Sequence, residues 1–396
     1  MSEWKETDFG KIPIHWDLKK IINLKSDDKR AIAMGPFGSN IKAENFVESG
    51  VPVIRGTNLN YAKFVDGEFV FLTDEKADEL IGSNCKAGDL VFTHRGTIGQ
   101  VGLIPSNKYP RYVISQSGMK LTVNPELISN EFLFYFFKSE FGQYQILKYE
   151  SQVGVPSISN PLTSLKEIEV PVPPLPEQTA IAFVLSSLDD KIDLLHRQNA
   201  TLEKMAETLF RQWFVEEAKE EWEMGRLGDL IQPKKGKNIT KSEAVDGEFP
   251  VVAGGLEPSC YHNQSNTKSP VITVSASGAN AGFVRLYNTP VWSSDSSYID
   301  ETITPYVYFF YVFLKINQDL LFDKQEGSAQ PHIYPSHIME LEILNYQESV
   351  IGKFENEVKP MFQKIKSNQT QIRTLTALRD TLLPKLMSGE VRVKMN

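Results

Sequence analysis

The sequence predicts an α+β protein. It has two similar globular domains, twisted sheets plus helices, separated by two long helices that pair as an antiparallel coiled coil with pseudo-twofold symmetry. Three observations predict this: a series of landmarks that occurs twice in the same order, a heptad seam that starts at Ile181, and a second apolar repeat near the C-terminus. The first domain is expected over 1-175, the first long helix over 176-221, the second domain over 222-346, and the second long helix with a C-terminal segment over 347-396.

The repeat is read from paired landmarks. Trp16-x4-Ile21-x2-Leu24 recurs as Trp222-x4-Leu227-x2-Leu230, and Val51-Pro52-Val53 as Phe249-Pro250-Val251. The stretch Val91–Thr97 resembles Thr273–Ala279, the aromatic run Phe132–Phe137 resembles Tyr306–Tyr311, and Pro156-Ser157-Ile158 pairs with Pro331-His332-Ile333. The offset falls steadily from 206 at the tryptophans to 170 at the helix starts, so the second half is a version of the first with shorter loops. Two divergent copies of one domain-plus-helix unit explain an ordered series of this kind; two unrelated α+β domains are the alternative.

Within each half, Gly, Pro, Asn, Asp and Ser break the chain every several residues, which reads as short strands joined by turns. Helices are expected at Asp74–Ile81 and at the two aromatic runs. Phe132, Phe136, Phe309 and Phe313 fit the buried face of a helix, and core packing is preferred for them over a platform for stacked bases.

The proline run Pro171–Pro176 cannot be helix interior, because proline lacks the amide donor and clashes with the preceding turn. Beyond it, Ile181, Leu185, Leu188, Ile192, Leu195, Asn199, Leu202, Ala206, Leu209 and Trp213 alternate in spacings of four and three. That is a coiled-coil seam about four and a half heptads long, on a helix from Glu177 to Ala218 about 60 Å in length. Its expected partner carries Ile351, Phe354, Val358, Phe362, Ile365, Ile372, Leu375 and Leu382. The offset of 170 sets Asn199 opposite Gln369, two amides interrupting apolar seams, and a polar seam residue fixes register at a cost in stability. Leu188, Ile192, Leu195, Asn199 and Leu202 are therefore expected to pair with Phe362, Ile365, Gln369 and Ile372. The alternative is that each helix packs on its own domain.

Composition sets limits. The 396 residues are 41% hydrophobic and 23% charged, ordinary for a globular chain. No apolar run reaches a membrane span, and the N-terminus does not read as a secretory signal. The two cysteines, Cys85 and Cys260, make neither a disulfide framework nor a zinc cage, and a reducing cytoplasm is expected. The net charge of −8 argues against nucleic acid until it is located. Ten acidic and five basic residues lie between Pro176 and Glu221, so over half of the excess sits in one helical stretch. Basic clusters such as Lys234-Lys235-Gly236-Lys237 lie elsewhere. Such a chain would bind DNA weakly alone, because phosphate neutralisation supplies most non-specific affinity.

Two similar readers at fixed separation suit two half-sites on one duplex. The residues also carry a family resemblance. The Pro173–Gln178 lead-in, the Leu188-Asp189-Asp190-Lys191-Ile192 stretch, the closing Leu383–Val391 segment, and the turns Gly35–Ser39 and Arg55–Asn58 resemble the specificity subunit of type I restriction-modification systems. The second half departs from the pattern at Leu344-Asn345-Tyr346-Gln347-Glu348, where a Pro-rich lead-in is expected. The resemblance implies a non-catalytic DNA specificity subunit. Its two target-recognition domains would read a split double-stranded target. Its helices would set the spacer and dock two modification (methyltransferase) subunits, and restriction/translocase subunits would complete the complex. It implies no cofactor in this chain, with S-adenosylmethionine, ATP and Mg on the partner subunits.

Glycine-rich turns let backbone approach phosphate, and exposed Arg, Asn, Gln, Ser and Thr can read base edges. In the first domain the candidates are Gly38, Ser39, Arg55, Asn58, Thr93, Arg95, Thr97, Ser115 and Gln116, with Arg55 and Arg95 as candidate guanine contacts. In the second they are Lys234, Lys235, Lys237, Ser275, Ser277, Asn280 and Ser294, the lysines facing phosphate. His94, His262, His332 and His337 have no metal-ligand spacing and read as surface or turn residues.

Enzyme signatures are absent. Asn160-Pro161-Leu162-Thr163 lacks the second proline and the aromatic of an amino-methyltransferase motif, and Gly236-Lys237-Asn238 fails as a phosphate loop. No zinc-protease helix or nucleophile elbow occurs. Two other readings stand beside DNA specificity: a coiled-coil protein-interaction adaptor without DNA specificity, and a nuclease whose carboxylates come from distant residues.

Overall fold

The structure is a computed structural model and describes residues 4–8, 10–59, 63–151, 154–327 and 330–394. It forms two compact units, Met1–Leu194 with Gln371–Asn396, and Leu195–Thr370. The two long helices, Leu175–Arg211 and Glu348–Ser388, each contribute to both units. The first ends in a π turn at Gln212–Glu216, short of the expected Ala218.

In the first unit, one antiparallel sheet has the order Ile32–Met34, Gly118–Leu121, Leu90–Thr93, Val101–Leu103. A second sheet has the order Val70–Leu72, Val51–Ile54, Tyr112–Ile114, Asn84–Cys85, with Val51–Ile54 and Tyr112–Ile114 running parallel. Asp17–Lys20 pairs with Glu169–Val172, so Pro171 of the proline run lies in a strand. The helix Asn130–Lys138 is capped by Ser129 Oγ, which accepts from the Phe132 amide. All six residues from Phe132 to Phe137 are buried, a wider buried surface than the two-residue face read from the sequence. A helix apolar on every side must be enclosed, and here sheet, helix and C-terminal segment share one core with Trp16, Leu386 and Met387.

The second unit repeats this plan. Lys234–Lys235, Ser296–Asp300, Val271–Ser275 and Val284–Tyr287 form the antiparallel sheet. In the other sheet, Cys260–His262 pairs with Phe249–Val252, which runs parallel to Trp292–Ser293. Met224–Arg226 pairs with Glu342–Leu344, and the aromatic helix Val307–Ile316 is buried from Val307 to Leu314. Strand order and direction in these sheets therefore match those of the first unit; among the described residues, the first unit alone has the Asn84–Cys85 strand and the two-stranded sheets Trp4–Thr7/Gly10–Pro13 and Glu150–Ser151/Ser157–Ile158. The helix Asp74–Glu79, which stops short of the expected Ile81, has no counterpart either.

The helices pair antiparallel. In the second unit Asn199 meets Asn368, and eleven residues further along the first helix Phe210 meets Phe354, with ring centroids 5.6 Å apart. As one helix advances, the other recedes. In the first unit Arg379 Nη1 donates to Asp189 Oδ1 at 2.9 Å. Ile192, Leu195, Phe362 and Ile365 are buried; Leu188, Asn199, Leu202 and Ile372 are half-buried. Gln369 is a correction: it is exposed and bonded to Asn288, and the seam amide is its neighbour Asn368. One residue is about 100° of helix turn, enough to move a side chain off the seam.

The proline-rich lead-in has a structural use. Leu175 and Pro176 open the helix, where a missing amide hydrogen costs nothing. Gln178 is fully buried; its Oε1 accepts from Ser129 N at 2.8 Å and its Nε2 donates to Pro173 O at 2.8 Å. Glu177 pairs with His15 at 3.0 Å. The motif therefore locks the helix start to the domain. Lys63 adds a second tie, its Nζ 3.2 Å from both Ser186 Oγ and Asp190 Oδ1.

Candidate nucleic-acid interface

In the first unit, four loops leave the sheets at one edge: 35–40, 55–58, 94–100 and 115–117. The strands bring them there because Val51–Ile54 and Tyr112–Ile114 are parallel, while Leu90–Thr93 and Ile32–Met34 both run against Gly118–Leu121. Backbone hydrogen bonds join the loops. Ser115 N donates to Ile54 O, His94 N to Ser117 O, and Gly35 N to Gly118 O, each at 2.9 Å. Gly96, at φ +84°, donates to Pro156 O and draws in a fifth segment.

Gly38, Arg55, Arg95, Thr97 and Gln116 are exposed on this edge, and Ser115 is half-buried. Gln116 Oε1 lies so close to Gly38 that a Cβ there would stand 2.4 Å away. The Ser39 side chain lies outside the described residues. The four loops contain no Asp or Glu, although the chain as a whole has 50 acidic against 42 basic residues. Two exposed arginines with no carboxylate in these loops are a charge balance that favours a polyanion.

Two candidates are corrected. Asn58 is 1% exposed; its Oδ1 accepts from Arg55 N and its Nδ2 donates to Asp66 O and Glu68 O. Thr93 is buried, donates to Thr97 O and accepts from Gln100 N. Both spend their hydrogen bonds on the turns that present Arg55 and Arg95. His94 is also buried and not a surface residue; its Nε2 lies 3.1 Å from Gln116 O, and burial holds its pKa below the usual histidine value.

The second unit builds an edge from the same bonds. Ser294 N donates to Val252 O, Ala276 N to Asp295 O, Gly236 N to Ser296 O, and Gly278 N to Pro331 O. These match, bond for bond, the contacts of Ser115, His94, Gly35 and Gly96. The chemistry presented differs. Ala253 stands in the place of Arg55 and Ser277 in that of Arg95, while Lys234, Lys235 and Lys237 are exposed. Ser277 is half-buried and donates to the Asp295 carboxylate. Asn280 donates to Gly254 O at 3.3 Å. Ser275 and Ser294 are corrections: both are buried, Ser275 bonding Ala253 O and Ser294 accepting from Ile239 N. His262 and His337 are buried as well: His262 Nδ1 accepts from Val245 N, and His337 Nε2 lies 3.4 Å from Glu326 Oε1.

Sequence reading missed Phe37, 81% exposed at the tip of the first loop, and Asp295. The Gly-Pro-Phe-Gly turn was the available signal for Phe37; Asp295 carried none. Among the described residues no group of three or more His, Cys, Asp or Glu converges as a metal site, and no helix is long and apolar enough to cross a membrane.

Comparison with known proteins agrees with the duplicated plan. The model of the type I restriction modification DNA specificity domain matches residues 38–204 and 219–344, about three quarters of the chain. The specificity subunit of the MjaIX type I restriction enzyme of Methanocaldococcus jannaschii is 28% identical over 445 residues, covering 99% of this chain and 97% of the relative. The specificity subunit of the HindI type I restriction enzyme of Haemophilus influenzae is 23% identical over 466 residues, covering 92% of this chain and 100% of the relative. The crystal structure of a type I restriction-modification S subunit from M. genitalium superposes with a TM-score of 0.62 at 21% identity, covering 96% of this chain and 97% of that one, and so shares the fold. With a duplicated domain, paired long helices and family matches in both halves, the chain belongs to the type I restriction-modification DNA specificity family and is a specificity subunit.

Proposed function

We propose that each unit reads one half of a split double-stranded DNA target through the loop edge described above, and that the chain itself contributes no catalytic group. The observation that carries this reading is the convergence of four acid-free loops bearing Arg55, Arg95 and Gln116, matched by a second edge with the same scaffold and different side chains. Different side chains on one scaffold suit a target whose halves differ. Of the residues picked from the sequence, Gly38, Arg55, Arg95, Thr97, Ser115 and Gln116 serve the first half-site. Lys234, Lys235, Lys237, Ser277 and Asn280 serve the second, with the lysines on phosphate.

In this proposal residues 1-175 and 222-346 are the readers, and the helical segments joining them set the base pairs between half-sites and dock two modification subunits. Restriction/translocase subunits complete the complex. S-adenosylmethionine, ATP and Mg act on those partners, in the cytoplasm. Exposed apolar residues on the first helix, Phe183, Leu194 and Met205, support a role in docking.

Adenine-methylation mapping in cells carrying this chain and its matching modification subunit tests the reading. One split motif, present only with both proteins and altered in one half when one reader is exchanged, is the expected result. An assembled, active complex that yields no motif would return the chain to the adaptor reading.

A further inference from the structure

We propose that the Phe37 ring is a wedge that stacks on a base at an opened step of the first half-site, so that the first reader deforms its DNA as well as contacting it. The inference rests on the reading just given. The Phe37 ring is 81% exposed, more than any other large hydrophobic side chain among the described residues, and the loop holds it out rather than leaving it loose. Gly35 passes so close to Ser115 that a Cβ would meet its carbonyl oxygen at 1.8 Å, so the loop is seated against the neighbouring turn. Pro36 is buried, and its pyrrolidine ring fixes the backbone angle that leads into Phe37. Phe37 O then accepts from Asn40 N at 2.8 Å, closing the one-turn helix Gly38–Asn40 behind the ring. The ring thus stands on a braced turn beside Gln116, on the edge that carries Arg55 and Arg95 and no acidic residue.

That combination selects the occupant. An apolar partner protein has no need of a flanking cationic edge, whereas a duplex does. Apolar side chains inserted between base steps unstack them and bend the helix, offset by the contacts that bending allows. The second unit has no phenyl at this place: Gly236 is the counterpart of Gly35, and Lys237 and Asn238 follow it. A phenyl wedge at this place is therefore confined to the first half-site.

The test uses the complex assembled with its modification subunits and the duplex defined by methylation mapping. 2-Aminopurine replaces each adenine of the first half-site in turn on either strand, the methylated adenine excepted, and pyrrolocytosine replaces each cytosine. The expected result is one position whose fluorescence rises several-fold on binding, loses that rise with Phe37→Ala, and keeps it with Phe37→Leu, an apolar wedge of similar reach. Affinity should fall about 5- to 150-fold with Phe37→Ala, the range seen for loss of one stacked base. Unchanged fluorescence and affinity with Phe37→Ala, while Arg95→Ala weakens binding, would overturn the wedge and keep the reading edge. No effect from either variant would overturn both. Loss of assembly with the modification subunit in Phe37→Ala, with the DNA signal intact in whatever complex remains, would reassign the ring to a protein interface.

Discussion

Asn368 Nδ2 donates to Asn199 Oδ1 at 2.9 Å, joining two apolar seams through a pair of facing amides in the second unit. Asn368 Oδ1 finds no partner among the described residues. An amide pair of this kind specifies register at a cost in stability. Asn368→Leu should raise the melting temperature by about 2–4 °C and broaden the set of helix positions that crosslink through engineered cysteines. A lower melting temperature with an unchanged crosslinking pattern would refute the register role.

Asp189 is a third tie between the first helix and its domain. It is buried, accepts from Tyr135 Oη at 2.8 Å and from Arg379 Nη1 at 2.9 Å. Burial, and then the Asp189 carboxylate, push the Tyr135 phenol well above its ordinary pKa, so it remains a donor at any physiological pH. Asp189→Ala takes the shared acceptor from both partners and should cost about 3 kcal/mol. Tyr135→Phe should cost about 1.5–3 kcal/mol, the net value of one hydrogen bond to a charged group. The double variant should cost less than the sum, and strict additivity in chemical denaturation would show that the groups act separately.

The repeat and the heptad seam were legible because both rest on apolar residues, whose spacing must match the element that buries them. Position on the seam was less so: carrying one offset from Glu177 to Asn199 pointed to Gln369, and the structure has Asn368 there. The exposed loop edge was half legible. Arg55, Arg95 and Gln116 could be picked because long polar side chains in tight turns have few internal partners. Asn58, Thr93, Ser275 and Ser294 could not be told from them, since short polar side chains bond their own turns as readily as a ligand. Only the tertiary fold decides which.

Glu355 gives a pH signature in the second unit. Its carboxylate accepts from the Tyr308 and Phe309 amides, capping the aromatic helix. Burial raises its pKa from 4.5 to about 7, with those two amides pulling it back. A raised folded-state value means that its contribution to stability is fully present below pH 4.5 and is lost as pH climbs through about 7. Glu355→Gln does not titrate, so its stability relative to the parent should rise across that window, by up to about 3 kcal/mol. Denaturation curves for the two proteins across the window from pH 4.5 to about 7 measure it; a difference independent of pH would show that Glu355 titrates normally.

Arg95 and Asn58 separate reading from scaffolding. Arg95 is exposed just beyond the end of a strand, and Asn58 is buried beneath the turn that carries Arg55. Arg95→Ala should leave the melting temperature unchanged and weaken binding of the assembled complex to its first half-site by about 1–3 kcal/mol, relaxing the preference at one base pair. Asn58→Ala should do the reverse at first order, costing about 1–3 kcal/mol of stability by leaving the Asp66 and Glu68 carbonyls without their amide donor. Any loss of binding in Asn58→Ala should be equal across half-site variants, because a displaced turn favours no base. Binding isotherms on a panel of single-base variants, with melting curves alongside, decide between the roles. A base-specific loss in Asn58→Ala without destabilisation would place the buried amide on the DNA and require the turn to open.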